Sequence, residues 1–277
     1  MTKRITDSAF AIWVRTVLYP ITMLLSRTKV KYKIIIENKY IPAADKSIIF
    51  ACNHSAFPDI PIALRAVKRH CYTLIGKQNL AFVDKIFFFL TGAVWVDRKS
   101  KESSALAKES VVAYLKKGKP ILWFPEATWN LADNLLMLPM RWGIIETAQR
   151  TNAQIIPMAL DYDRAKKICR VRFGEALNAE TVISKPQGII TLRDTMATLR
   201  WDFTSRNQVN RADIDLEKER NAMFQVVRDY PSLNWNYEES CIYRIPGTEN
   251  YEEAFAHLNT ITTTLQNAFL LNKRLRG

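Results

Sequence analysis

Glycine is scarce in this chain. Its 277 residues contain eight, and the closest two stand 14 positions apart. That spacing excludes every glycine-rich phosphate loop, GxGxxG and P-loop alike. It also excludes the GxSxG nucleophile elbow. Histidine is scarcer still, with His54, His70 and His257 only. The four cysteines are Cys52, Cys71, Cys169 and Cys241, and their separations of 19, 98 and 72 match no zinc pattern. Four cysteines in a chain this long fit buried thiols in a reducing compartment. No uninterrupted run of 18 apolar residues exists, so there is no clear transmembrane helix.

Positive charge, by contrast, is abundant. Forty Lys and Arg stand against 27 Asp and Glu, a formal net charge of +13, and the pI is near 9.6. Such a surplus asks for an anionic partner: nucleic acid, a membrane surface or phosphorylated substrates. Residues 1–100 hold 16 basic and 6 acidic residues, net +10, while the other 177 hold 24 and 21, net +3. No Lys/Arg-rich block, zinc-finger spacing or RNP-type aromatic motif accompanies the charge, which leaves nucleic acid as the least supported partner. A hydrophobic share of 48% allows a real core without metal or disulfide staples.

The nearest approach to a membrane segment is 9–25, where 13 of 17 residues are hydrophobic. Arg15 interrupts the run and Pro20 would kink it. A straight helix of that length reaches about 25 Å, short of the roughly 30 Å hydrocarbon core. Lys3 and Arg4 precede it, and Arg27, Lys29, Lys31 and Lys33 follow. A signal peptide fits poorly, because the run contains Arg and no A-x-A-like site follows. Periodicity leaves two placements open: a helix lying in the interface of an anionic bilayer, or an amphipathic helix packed on the core.

Further along, strands alternate with helices. Strands are expected from about 30, at 47–53, near 72–75, within 93–97, at 121–126 and at 153–160. A helix with early prolines begins at Asp59, and 85–92 reads as an apolar helix end or loop. A charged helix over 100–117 stops at Gly118 and Pro120, and another covers 142–151. The alternation argues for an α/β fold. Beyond 185 the pattern turns helical at 188–204, 214–229 and 250–272, with 230–249 rich in Trp, Tyr, Asn and Pro.

Chemistry gathers at the carboxyl ends of the strands, where α/β sites form. His54 follows the buried run at 47–53, and Asp59 stands five residues later. A carboxylate there can accept the imidazole N–H, fix the tautomer and support a general base. Alternatively Asp59 caps the following helix. Arg98 ends the strand at 93–97, suited to a phosphate or to a surface ion pair. Glu126 ends the run at 121–126, as a hydroxyl-binding acid or a turn residue. Ile156 and Pro157 close a fourth strand.

Taken in order, these blocks resemble the glycerolipid (lysophosphatidate) acyltransferase family. The His-x4-Asp block is His54 and Asp59, preceded by Asn53. The Gly-x-x-Phe-x-x-Arg block is Gly92 to Arg98, with Trp95 in place of Phe. The Phe-Pro-Glu-Gly-Thr-Arg block is Phe124, Pro125, Glu126, Ala127, Thr128 and Trp129. The fourth is Ile156-Pro157, and Arg141 and Gly143 sit in a basic-x-Gly segment before it. Two positions depart from the family: Ala127 for Gly, and Trp129 for an Arg used near the acceptor phosphate.

The resemblance implies an O-acyltransferase of the EC 2.3.1 type. It moves a fatty acyl group from acyl-CoA or acyl-carrier protein to a lysophospholipid, lysophosphatidate-like hydroxyl. His54 and Asp59 are then catalytic, and Asn53, Arg98, Glu126, Thr128 and Arg141 contact substrate. No metal or cofactor is implied beyond the thioester co-substrate. The expected architecture is a mixed sheet flanked by helices over 30–185, a membrane-associating segment at 1–29 and a helical extension at 186–277. The expected location is the cytoplasmic face of an anionic membrane. Phe87, Phe88, Phe89 and Leu90 line an acyl groove or belong to the core. Trp129 keeps open a non-phosphate acceptor such as a glycolipid or amine, and a separate alternative is an inactive basic membrane-binding protein on the same scaffold.

Overall fold

The apolar run at 47–53 becomes the central strand β2 (Ile48–Cys52), every residue of which is buried. Ile48, Phe50 and Cys52 enter one core layer, and Ile49 and Ala51 enter the other. Burial on both faces is the signature of a strand sandwiched between helices. The computed structural model describes residues 8–206, except 41, 43–45, 56–57, 77–81, 98–99, 128, 131–135, 164–165 and 182–183, together with 215 and 217.

The other strands are β1 (Lys33–Ile36), β3 (Tyr72–Gly76), β4 (Ala93–Val96), β5 (Ile121–Trp123), β6 (Gln154–Asp163), β7 (Ile168–Phe173) and β8 (Leu177–Asn178). They form one mixed sheet in the order β1-β7-β6-β2-β5-β3-β4, with β8 also on β6. Strands β2 to β6 run parallel, so their carboxyl ends share one edge. The β7 strand returns antiparallel to β6 and carries β1 parallel to itself. It continues the sheet past the expected strand at 153–160, which extends to Asp163.

The helices are α1 (Ala9–Lys29), α2 (Asp59–Val67), α3 (Phe82–Thr91), α4 (Lys101–Lys116), α5 (Gly143–Thr151) and α6 (Lys185–Arg206). Ile62 and Leu64 of α2 pack in the layer of Phe50. Val111 and Leu115 of α4, Ile144 of α5 and Leu192 and Met196 of α6 pack in the layer of Ile49. Ser100 caps α4 by accepting a hydrogen bond from the Ser103 amide at 3.1 Å. The apolar stretch before β4, expected as a helix end or loop, is the whole helix α3. It splits the phenylalanine run: Phe88 is buried in the core, Phe87 packs against it, and Phe89 is exposed. The expected helix at 188–204 is α6. Apart from residues 215 and 217, those expected at 214–229 and 250–272, the stretch between them and Cys241 lie outside the described residues.

The α1 helix is turned inside out. Its buried side carries Arg15, Tyr19, Thr22 and Ser26, at helical spacing. Arg15 Nε donates to the Phe89 carbonyl at 2.8 Å, and its guanidinium lies 4.9 Å from the Phe89 ring centre. The Tyr19 hydroxyl donates to the Leu64 carbonyl at 3.1 Å. The residue that interrupts the apolar run therefore ties α1 to α3. The opposite side presents Phe10, Trp13, Val17, Ile21 and Leu24 to the outside. Phe82, Val83, Ile86 and Phe89 of α3 are exposed as well. At 21 residues α1 is longer than its apolar run, about 31 Å by helical rise, and Pro20 lies within it.

The Gly92 position ahead of β4 has a steric reason. Its φ is +77°, and an added Cβ would lie 2.6 Å from two carbons of the Tyr72 ring. That ring is buried and stacked on Tyr114 with centres 4.0 Å apart. Gly92→Ala is therefore expected to cost roughly 2–4 kcal/mol, combining left-handed strain with overpacking. Denaturant unfolding of the variant checks this, and a cost below about 0.5 kcal/mol would contradict it.

Candidate active site

The chain leaves β2 at Cys52 and passes directly into Asn53 and His54. Asn53 extends the β2–β6 ladder with its side chain, because Oδ1 accepts from the Leu160 amide at 2.7 Å and Nδ2 donates to the Leu160 carbonyl at 3.2 Å. It is fully buried, so this expected substrate contact is a structural pin. His54, one residue later, is set at the rim of the sheet.

The His54 loop is held from two sides. The His54 amide donates to Glu126 Oε1 at 2.9 Å, and the His54 carbonyl accepts from the Asn130 amide at 2.6 Å. Glu126 Oε2 accepts from the Leu138 amide at 2.8 Å. Glu126 was expected to reach the acceptor, but it is 4% exposed and both its oxygens bind backbone amides. It clamps the His54 loop to the segment after β5. Ala127 completes the turn with φ +62° and its amide donates to the Phe124 carbonyl at 3.0 Å. The conformation that favours glycine is thus kept with a Cβ present, at a cost on the order of 1 kcal/mol.

His54 Nδ1 lies 2.8 Å from Asp59 Oδ2. Asp59 opens α2, yet its carboxylate faces back toward the loop. Oδ2 also accepts from the Ser55 amide at 2.5 Å, and Oδ1 accepts from the Tyr162 hydroxyl. Burial and the neighbouring Asp59 push the Tyr162 phenol well above its ordinary range, so it stays a donor. With Nδ1–H donating to Asp59, Nε2 of the neutral imidazole carries the lone pair. The Trp129 indole N–H donates to that Nε2 at 2.9 Å. Phe124 packs on the imidazole with ring centres 4.4 Å apart.

Two further residues had no sequence signal. Tyr162 lies at the far end of β6, and Arg200 comes from α6. Arg200 donates to the Leu136 carbonyl, and its charge lowers the Glu126 carboxyl pKa. Arg141 is exposed and anchors the loop through its amide, which donates to the Pro125 carbonyl at 3.0 Å. Arg98 and Thr128 lie outside the described residues. Among the described residues no group of three or more His, Cys, Asp or Glu is placed to hold a metal ion.

A part-buried imidazole paired with a buried carboxylate, its loop pinned at the end of a parallel strand, is an arrangement suited to general-base chemistry. Residues 33–161 match the family model described as Acyltransferase. This segment is similar to the glycerolipid acyltransferases among the curated relatives. It is 30% identical over 120 residues to a 1-acyl-sn-glycerol-3-phosphate acyltransferase of Saccharomyces cerevisiae, covering 42% of this chain and 39% of that one. It is 29% identical over 132 residues to a protein of the same name from Chlamydomonas reinhardtii, covering 47% and 39%. The alignment thus spans about two fifths of these relatives' length. The crystal structure of the 1-acyl-sn-glycerophosphate (LPA) acyltransferase of Thermotoga maritima shares the fold, with a TM-score of 0.57 at 12% identity over 71% of this chain and 83% of that one.

The clamp carboxylate gives a test by pH. Burial pushes Glu126 up to about 7, against the two backbone amides and Arg200 that favour its charged form. Between pH 4.5 and about 7 the unfolded chain has released this proton while the folded chain keeps it. Stability therefore falls as pH rises through that window, by roughly 3 kcal/mol from this group. Glu126→Gln removes the titration. The stability difference between wild type and variant, from urea unfolding at pH 5 and pH 8, is expected to shift toward the variant at pH 8. A difference independent of pH would count against the assignment.

Proposed function

We propose that the protein is an O-acyltransferase that moves a fatty acyl group from a thioester to a hydroxyl of a lysophosphatidate-like lysophospholipid. The observation that carries this is the 2.8 Å pair of His54 Nδ1 and Asp59 Oδ2, which leaves Nε2 as the base. The Acyltransferase family match and the names of the relatives support the reaction class. His54 Nε2 takes the acceptor hydroxyl proton as the oxygen attacks the thioester carbonyl. The tetrahedral intermediate collapses, the C–S bond breaks, and the Nε2 proton passes to the departing thiolate. Asp59 stabilises the transient imidazolium, and Tyr162 and the Ser55 amide hold Asp59 in place. Acyl-CoA or acyl-carrier protein serves as co-substrate, and the scheme uses no metal or cofactor. Arg98 remains our assignment for the acceptor phosphate, and Thr128 and Arg141 remain assigned to substrate contact.

Membrane attachment belongs to the same proposal. The outer apolar side of α1, joined to α3 through Arg15, forms one exposed platform with Phe10, Trp13, Ile21, Phe82 and Phe89. Its polar side faces the protein, so the helix is suited to lie in a bilayer interface with the domain beneath. Arg27, Lys31 and Lys33 near its end favour an anionic leaflet. We assign the attachment, peripheral or interfacially embedded through α1, to the cytoplasmic face.

An acceptor screen with labelled palmitoyl-CoA or palmitoyl-acyl-carrier protein tests the chemistry. Lysophosphatidate is expected to be acylated, and His54→Ala to lose about 10²–10⁴-fold in rate. Wild-type activity in that variant would refute the mechanism. Acylation confined to acceptors without phosphate would instead favour the reading that the uncharged Trp129 motivates. Co-sedimentation with phosphatidylglycerol vesicles tests attachment: Trp13→Asp with Phe89→Asp should weaken binding several-fold, and unchanged binding would remove the platform from the proposal.

A further inference from the structure

The Trp129 indole occupies the one atom that the proposed reaction needs free. Neutral imidazole has a single lone pair, and Asp59 has committed Nδ1 as the donor. The remaining nitrogen, Nε2, already accepts from Trp129 Nε1–H at 2.9 Å. No acceptor hydroxyl can donate to that lone pair until the indole leaves it. The indole is itself a donor only, so it can never relay the hydroxyl proton. It is 7% exposed, and the His54 side chain 15%. Ring centres 5.9 Å apart at 87° place the indole edge against the imidazole. The Asn130 amide bond to the His54 carbonyl ties the residue after Trp129 to the same loop.

We propose that Trp129 is a substrate-displaced cap on the general base: its indole N–H holds the hydrogen-bonding position on His54 Nε2 that an acceptor hydroxyl takes over. The inference rests on the acyltransferase reading and deepens it. In the acceptor-free enzyme the cap excludes water from the base. A thioester that arrives first is thereby protected from hydrolysis. An acceptor pays one hydrogen bond to displace the indole and regains one with its own hydroxyl. Trp129 thus acts as a specificity-determining residue that favours transfer to an alcohol over transfer to water.

Trp129→Phe keeps an aromatic ring and removes the donor. Diethyl pyrocarbonate acylates the free imidazole lone pair, and peptide mass mapping reads each histidine separately. Carbethoxylation at His54 should be about two- to tenfold faster in Trp129→Phe, the worth of one neutral hydrogen bond, with the rate at His70 unchanged. Equal rates at His54 would overturn the proposal, and so would an equal acceleration at His70, which reports general loosening. Palmitoyl-CoA hydrolysis without acceptor should rise by a similar factor and vanish when His54→Ala is added. Hydrolysis that stays at the wild-type level would also overturn it. Should the Phe variant fail to fold, the bond is read by replacing His54 instead. His54→Ala should then move one of the seven Trp indole N–H resonances upfield, and seven unmoved resonances would refute the cap. A wild type that transfers to no acceptor, while His54 still reacts faster in Trp129→Phe, would refute the function and leave the cap standing.

Discussion

A carboxylate with no exposed surface governs the arrangement of the site. Asp59 is buried at the start of α2, where an unpaired charge would cost several kcal/mol. Three donors satisfy it: His54 Nδ1, the Ser55 amide and the Tyr162 hydroxyl. Each comes from a different structural origin, namely a side chain after β2, the loop backbone and the end of β6. Satisfying one charge therefore fixes the distance between two neighbouring strands and a helix start. It also decides the imidazole tautomer, because an ionised carboxylate accepts only. The helix-cap alternative for Asp59 falls away for the same reason, since its oxygens are aimed at the loop preceding the helix.

A second buried acid does different work. Glu126 binds two backbone amides across the loop and meets no described substrate-facing group. Its raised pKa means that near neutral pH it sits close to titration. The motif that carries it thus divides by role: Phe124 packs on the imidazole, Glu126 clamps its backbone, and Trp129 addresses its Nε2. A base held this way loses little freedom when substrate binds, which is the physical content of preorganisation.

The strand order could not be read along the chain, but the strands themselves largely could. The continuous apolar run at 47–53 and the breaks at Gly118 and Pro120 are local signals, and they appear where the pattern put them. The β7 strand was not expected, although Arg170 and Arg172 alternate with Cys169, Val171 and Phe173 as in a half-buried strand, and its place between β1 and β6 rests on nonlocal pairing. Among site residues, His54 and Asp59 were legible through their spacing only together with the other strand-end blocks. Tyr162 and Arg200 were not, since they lie more than 100 residues away and meet the site only through the sheet register and the packing of α6. Trp129 was visible only as a missing cation. Its hydrogen bond depends on a turn through Ala127 at positive φ, which no propensity favours.

The same argument from satisfied polar groups explains the N-terminal helix. Arg15 and Pro20 looked like defects in an apolar segment, and a core-packed helix would have hidden the apolar side around them. Instead Arg15 finds the Phe89 carbonyl and ring, and Tyr19 finds the Leu64 carbonyl. Polar groups with specific partners can face the protein at little cost, which frees the large apolar residues to face outward. Only its exposed apolar side is then poorly placed in water, and the proposed bilayer interface, by accepting Phe10, Trp13 and Phe89, would relieve it. The positive charge concentrated in the first 100 residues then lies on the part of the chain that carries this platform. The apolar platform and the His54–Asp59 pair share a scaffold, because Tyr19 of α1 docks on α2, the helix that begins with Asp59.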